Sequence, residues 1–109
     1  MAHYGKSRAF TPQKPKNLKH FYVENSTGWI SPRDNNLRVT YKLTAKTQTD
    51  IETVKNDHFC EKLQESTLTA IDSTTDDGWN ITFIYNLYSS PEHFIKTCSV
   101  SHLSDKPYR

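Results

Sequence analysis

ITFIYNLYS, residues 81–89, lies in the most apolar run of this chain and decides what kind of sheet the chain can form. Successive side chains of a strand point to opposite faces, so one face would carry four large apolar residues: Ile81, Phe83, Tyr85 and Leu87. Ile84 and Tyr88 make the opposite face partly apolar. Because apolar residues on both faces are typical of strands inside a sheet, we predict a central strand over residues 79–88.

The segments on either side of this strand favour two more strands. Residues 67–73 are rich in β-favouring residues, and Asp77-Gly78 has the composition of a tight turn because glycine tolerates a positive φ. After the break at Pro91, the threonine, serine and valine of residues 94–103 favour a strand, although Ser90 before Pro91 also suits a helix start. We predict a three-strand antiparallel meander.

Two further strands are predicted in the first half of the chain. Phe21 to Val23 suits a short strand that the polar residues 25–28 end, and residues 37–46 (LRVTYKLTAK) alternate clearly. Alternation in the second strand directs four residues toward the core: Leu37, Val39, Tyr41 and Leu43. It directs four others toward water: Arg38, Thr40, Lys42 and Thr44.

A helix is predicted after these strands. Thr49 has the side chain of an N-cap and Glu52 follows three residues later, which is the spacing of a capping box. The residues that then recur at helical intervals, up to about residue 64, are Ile51, Val54, His58 or Phe59, and Leu63. The order strand, strand, helix and meander predicts an α+β fold, an antiparallel sheet of four to five strands with one helix packed on one face.

The chain of 109 residues has the length of a single domain. We predict an extended basic N-terminal arm over residues 1–20, one α+β domain over residues 21–104 and a loose tail over residues 105–109. Hydrophobic residues make up 34% of the chain and the mean hydropathy is −0.80, so we expect a thin core that a partner surface helps to cover.

Charge is distributed unevenly along the chain, although the net charge is only +2. Residues 1–23 carry five basic residues and no acid, whereas residues 50–77 carry eight acids against two lysines. This asymmetry indicates a basic arm and an acidic face that meet different partners.

The two cysteines, Cys60 and Cys98, lie 38 residues apart without CxxC spacing, and no secretory signal precedes them. We therefore predict reduced thiols and a cytoplasmic or otherwise intracellular protein. No apolar run approaches the length needed to cross a membrane, so we expect no direct membrane insertion.

No pattern in the sequence indicates catalysis. The five histidines lack HxxxH or HxH spacing, and both the nucleophile elbow GxSxG and a glycine-rich phosphate loop are missing. A zinc site would need the fold to unite four scattered residues: Cys60, Cys98, His58 and His93. We predict a protein that is not an enzyme and that carries no cofactor or metal.

Four short segments, which span about a third of the chain, occur in an order found in a known family. They are Leu68-Thr69-Ala70-Ile71-Asp72, Gly78-Trp79, the strand segment 83–89 and Phe94-Ile95-Lys96. The order resembles the 30-kDa (C-type) subunit of respiratory complex I and the corresponding small subunit of energy-converting hydrogenases. One departure is Asn86, where that family usually has histidine. The resemblance implies a subunit without a redox centre, whose sheet braces a large catalytic subunit.

These observations predict a non-catalytic protein-interaction subunit or adaptor, and the resemblance implies a place in the peripheral arm of a complex I-like oxidoreductase or hydrogenase. The residues predicted to contact the protein partner are Lys6, Arg8, Lys14, Lys16, Lys19, Tyr85 and Tyr88. One alternative is a small nucleic-acid-binding module that uses the basic arm, residues 1–20. Another is a small inhibitor, for example of viral origin, that docks on a host protein.

Overall fold

The computed structural model describes residues 7–12, 18–74 and 79–103. Within these ranges the chain forms five strands and two helices: β1 (Arg8–Phe10), β2 (Phe21–Ser31), β3 (Asn36–Ala45), α1 (Gln48–Lys55), α2 (Phe59–Thr74), β4 (Asn80–Ser90) and β5 (His93–His102). The strands form one sheet in the order β1-β2-β3-β4-β5. Both helices therefore belong to the connection between two neighbouring strands, β3 and β4.

The sheet is mixed rather than purely antiparallel. Three of its strand pairs are antiparallel, whereas β3 and β4 run parallel over residues 36–44 and 80–88. Parallel neighbours need a long crossover connection, which α1 and α2 supply. The predicted α+β class is confirmed, but the predicted antiparallel sheet with a single helix is wrong in both respects.

The single helix predicted up to about residue 64 is interrupted after Lys55, and α2 combines its last residues with a predicted strand. α2 includes residues 67–73, whose composition favoured a strand. The hydroxyl of Thr69 donates to the carbonyl of Glu65 at 2.8 Å, and the hydroxyl of Thr67 shares a hydrogen bond with that of Tyr85 at 3.1 Å. Both threonine hydroxyls therefore form hydrogen bonds when residues 67–73 are helical, one within the helix and one with the sheet. These bonds outweigh the weak preference of threonine for strands.

The first helix begins before its predicted cap. Thr47 is the N-cap, and its hydroxyl accepts from the backbone N–H of Asp50 at 3.1 Å. The Asp50 carboxylate accepts in return from the backbone N–H of Thr47 at 3.2 Å, which completes a capping box. The predicted pair, Thr49 and Glu52, has the same spacing but lies inside the helix.

The predicted strands near residues 37–46, 79–88 and 94–103 are confirmed as β3, β4 and β5, with bounds shifted by one or two residues. β2 is longer than predicted, because the polar residues 25–28 stay within it and continue to pair with β3. The predicted turn at Asp77-Gly78 lies outside the described residues.

Part of the predicted N-terminal arm belongs to the sheet. Strand β1 pairs with β2, and the ring of Phe10 lies so close to Gly28 that a Cβ at this position would collide with it. Glycine in β2 therefore makes room for an aromatic ring from β1. The predicted domain boundary at residue 20 stays a prediction, and the predicted tail, residues 105–109, lies outside the described residues.

The core lies between the sheet and the helices. Its buried hydrophobic residues are Phe21, Val39, Tyr41, Leu43, Ala45, Val54, Tyr85, Leu87, Cys98 and Val100. Leu43 of β3, Leu87 of β4 and Val54 of α1 each have 0% of their surface exposed, so the best-packed point lies where the parallel strands meet α1. The apolar faces predicted for these two strands are confirmed, although Ile81 and Phe83 are only partly buried.

A disulfide joins the helical layer to the sheet. The sulfur atoms of Cys60 in α2 and Cys98 in β5 are bonded at 2.00 Å, and the bond spans a sequence separation of 38 residues. The prediction of reduced thiols is therefore wrong. The sequence spacing of the two cysteines does not indicate this bond, because they meet only through the crossover that packs α2 against β5.

We predict that opening this disulfide destabilises the protein. A crosslink that closes a loop of this length reduces the entropy of the unfolded chain, and its loss should cost roughly 2–4 kcal/mol. Urea unfolding of the double variant Cys60→Ala and Cys98→Ala, with and without reductant, measures the effect. Reductant should lower the free energy of unfolding of the wild type to that of the variant. It should leave the free energy of unfolding of the variant unchanged. Two free thiols in the native wild type would contradict the bond.

We also predict that stability falls in alkaline solution. Burial raises the pKa of the Tyr41 hydroxyl above its usual value, and the neighbouring Tyr85 raises it further. Unfolded tyrosine ionises near pH ~10, so folded Tyr41 keeps its proton to a higher pH. The stabilising effect of this buried, neutral hydroxyl is therefore complete below about pH 10. As the pH rises further, ionisation of Tyr41 in the unfolded chain lowers the free energy of unfolding.

Unfolding of Tyr41→Phe between pH 8 and pH 11 tests this expectation. The variant should lose less stability than the wild type as the pH rises. The control is Tyr22→Phe, which removes the hydroxyl of an exposed tyrosine. Equal losses in wild type and Tyr41→Phe would show that the buried hydroxyl does not contribute to the alkaline transition.

Candidate functional site

The two faces of the sheet have different surroundings. Both described helices pack on the face that carries the core. For α2 this is shown by the Cys60–Cys98 bond, the Thr67–Tyr85 hydrogen bond and the edge-to-face contact of Phe21 with Phe59, and α1 contributes the buried Val54 to the same core. Neither helix covers the opposite face, which we call the open face. It contains every second residue of β2 to β5, and these are the residues that do not point to the core.

Four rows of side chains cross the open face from β2 to β5. They are Tyr22, Thr44, Tyr88 and Phe94; Asn25, Lys42, Asn86 and Thr97; Thr27, Thr40, Ile84 and Ser99; and Trp29, Arg38, Thr82 and Ser101. Contacts within the rows confirm the shared face: the Thr97 hydroxyl donates to the Asn86 side-chain oxygen at 2.8 Å, and the Thr82 and Ser101 hydroxyls lie 3.4 Å apart. No row contains an acidic residue.

The first row forms an aromatic cluster with a lysine above it. The rings of Tyr88 and Phe94 meet edge to face with their centroids 5.5 Å apart, and the ammonium of Lys42 lies 4.6 Å from the centroid of Tyr88. On β2, the ammonium of Lys46 lies 5.2 Å from the centroid of Tyr22. Phe94 is 56% exposed and Tyr22 is 57% exposed, so both rings are accessible to a ligand.

Trp29 and Arg38 dominate the other end of the open face. They are paired across β2 and β3, and Trp29 is 42% exposed. Together they line two neighbouring shallow hollows of about 200 Å³ and about 420 Å³. The smaller hollow is completed by Ala9, Thr27, Gly28 and Thr40. A planar group could therefore lie against the indole with the guanidinium beside it.

The charges of the described domain are separated by layer. The open face and its margin carry the cations of Arg38, Lys42 and Lys46. Two acids lie nearby: Glu24 accepts a hydrogen bond from the Thr44 hydroxyl at 3.4 Å, and Asp34 lines the larger hollow together with Arg38. The helical layer carries five acids within residues 48–69: Asp50, Glu52, Asp57, Glu61 and Glu65. Three lysines accompany them: Lys55 and Lys62 of the helices, and Lys96 of β5, whose ammonium donates to the Asn56 carbonyl at 3.1 Å. One side of the molecule is thus basic and the other acidic.

The predicted partner-binding residues that the structure describes, Arg8, Lys19, Tyr85 and Tyr88, do not lie together on one face. Lys6, Lys14 and Lys16 lie outside the described residues, while Arg8 and Lys19 are exposed beside β2 and not in the rows of the open face. Tyr88 lies in the first row. The structure thus places one of the predicted residues on the open face.

Tyr85 does not fit its predicted role in partner binding. Its ring is 6% exposed and stacks between core aromatic rings, with centroids 5.5 Å from Tyr41 and 6.3 Å from Phe83. Its hydroxyl bonds to Thr67 of α2, and burial raises its pKa while this hydrogen bond acts in the opposite direction. Tyr85 belongs to the core because its position along β4 has the same parity as Leu87.

Sequence reasoning missed most of the open face as a site. Alternation in residues 37–46 already directed Arg38 and Lys42 toward water, which the structure confirms for the exposed Arg38 and the half-buried Lys42. The same prediction is wrong for Thr44, which lies in the first row but is buried. No local signal showed that Trp29 and Phe94, which are distant in sequence, share a face with them. That information lies in the strand order and register.

Metal and acid–base chemistry find little support among the described residues. In that part of the chain no group of three or more His, Cys, Asp and Glu residues is placed to hold a metal ion. The zinc site considered from the sequence would lack two of its four ligands, because Cys60 and Cys98 are bonded to each other. His58 lies 3.2 Å from Glu61, and His93 lies 2.6 Å from the hydroxyl of Ser90 in the turn between β4 and β5.

Comparison of the chain with protein-family models, with curated proteins and with solved structures finds no match. Within the described residues, neither helix combines the length and the apolar character that crossing a membrane requires. The chemistry of the open face is therefore the basis on which a function can be argued.

Proposed function

We propose that the protein is a non-catalytic binding module that holds a macromolecular partner on its open face. The observation that carries this proposal is the placement of exposed rings. Among the described residues, four large hydrophobic side chains are exposed, and three of them, Tyr22, Trp29 and Phe94, lie on the open face. Exposed aromatic residues gathered on one face are typical of interaction surfaces.

The composition of the open face supports binding rather than catalysis. Its four rows contain hydroxyl, amide, aromatic and cationic side chains, but no histidine, cysteine or carboxylate. Those three groups supply most general acid–base and nucleophilic catalysis in enzymes. The tyrosines whose pKa burial raises, Tyr41 and Tyr85, lie on the opposite, helix-covered face.

A place in a complex I-like oxidoreductase or hydrogenase stays a prediction that rests on the resemblance. Residues 68–72, which resemble a strand of that family, lie in helix α2 here. The intracellular location also stays a prediction, and the disulfide is more typical of oxidising compartments. The function proposed here rests on the open face and is independent of both.

Photo-crosslinking tests whether the open face meets a partner. We would replace Tyr22, Trp29 or Phe94 in turn with p-benzoylphenylalanine and irradiate the full chain in an extract of its native cells. The control positions are Glu52 and Lys62, which are exposed on the helices. We expect protein or nucleic-acid adducts from the open-face positions, and a second substitution, Lys42→Glu, should reduce their yield several-fold.

Two results would contradict the proposal. The first is an equal yield of adducts from Glu52 and Lys62, which would show random encounters. The second is the absence of adducts from all three positions of the open face, while the variants keep the thermal midpoint of the wild type.

A further inference from the structure

The proposed binding function leaves the class of partner unnamed, and the chemistry of the open face indicates one. We infer that the open face binds single-stranded nucleic acid, with exposed rings stacking on bases and with the cations of β3 contacting phosphates. This assignment rests on the binding function proposed above. It differs from the predicted use of the basic arm, because the residues that carry it belong to the sheet.

The cations form a line along the middle of the open face. Arg38 and Lys42 lie on the same side of β3, and Lys46 follows at the same spacing just beyond the end of the strand. Successive cations are four residues apart, which corresponds to about 13 Å along a strand. The three charges therefore extend along the full length of the face. An extended polyanion that follows β3 could contact all three cations, whereas a compact anion could contact only one.

Accessible aromatic rings lie on both sides of this line. Tyr22 and Trp29 belong to β2 on one side, and Phe94 belongs to β5 on the other. Proteins that bind single strands combine a basic track with rings on which bases stack, since every base offers a planar face. A duplex keeps its bases stacked inside, so these rings favour single strands over duplexes.

Hydroxyl and amide groups fill the space between the rings and the cations. Thr27, Thr40, Asn86 and Ser99 occupy the two central rows of the face. Such groups can donate to and accept from the edges of unpaired bases. The central rows thus suit a ligand that is polar at its edges and flat on its faces.

The distribution of charge favours a polyanion on this face and not on the other. The acids of the helical layer lie behind the sheet, where they would repel a nucleic acid from the helices. The open face faces away from them and carries a net positive charge, because its three cations outnumber the two acids at its margin, Glu24 and Asp34. The small overall charge of the chain, +2, conceals this separation. An acidic protein is the alternative partner, and the experiment below distinguishes it.

Fluorescence anisotropy with labelled oligouridylate, oligothymidylate and a duplex of equal length tests the inference on the full chain with its disulfide intact. We expect both single strands to bind more tightly than the duplex, with an affinity that falls as salt rises. Equal or tighter binding of the duplex would overturn the inference.

Charge-reversal variants locate the binding surface. Arg38→Glu with Lys42→Glu should weaken single-strand binding at least tenfold and reduce the slope of log K against log salt by about 1.4, or ~0.7 for each lost phosphate contact. The matched control, Lys55→Glu with Lys62→Glu, changes the net charge equally but on the helical layer, and should have little effect. Equal losses in the two variants would overturn the inference.

Tryptophan fluorescence gives a second readout that does not depend on charge reversal. The chain has two tryptophans, so Trp79→Phe leaves Trp29 as the reporter. Stacking on a base should quench Trp29 during titration with oligouridylate, and Trp29→Ala should weaken binding roughly tenfold, since a stacked base contributes to the affinity for single strands. An unchanged Trp29 signal at saturation would contradict stacking.

The remaining outcomes separate this inference from the proposed function. Loss of binding in Lys14→Glu with Lys16→Glu, but not in the open-face variants, would assign nucleic acid to the N-terminal segment and overturn the inference. No binding of single strands, together with protein adducts from the open face, would overturn the inference and leave the proposed function intact. If single strands do not bind and the open-face positions give no adducts, both the inference and the proposed function are overturned.

Discussion

The parallel pairing of β3 with β4 is the constraint on which the rest of the structure depends. Parallel neighbours cannot be joined by a hairpin, so the connection that contains α1 and α2 must return from one end of the sheet to the other. This single crossover brings α1 and α2 to one face, where they cover Leu43 and Leu87 and where Cys60 meets Cys98. Within the described residues, no helix covers the opposite face, and the candidate site is a consequence of that asymmetry.

The same strand serves both faces. In β3 the core residues Val39 and Tyr41 alternate with Arg38 and Lys42, so the burial that stabilises the fold also orders the cations in a line. The pairing register then sets the aromatic residues of β2, β4 and β5 beside them. A binding surface of this kind needs no dedicated loop, because regular strands hold its side chains in place.

Much of this fold could be predicted from the sequence, because alternation is a local signal. Three strands and the core faces of β3 and β4 followed from it. The parallel pairing, the helix over residues 67–73 and the disulfide did not, since each depends on contacts between distant residues, such as Thr67 with Tyr85. The candidate site shows the same limit: alternation directed Arg38 toward water, but only the register places Trp29 next to it.

Hydroxyl-radical footprinting of the free protein tests the central claim most directly, namely that one face of the sheet is covered and the other is open. Oxidation rates of individual side chains report their contact with solvent. We predict rapid modification of Tyr22, Trp29 and Phe94 and strong protection of Tyr41 and Tyr85. Protection of the first three residues to the level of Tyr85 would show that the open face is covered, and would contradict the account.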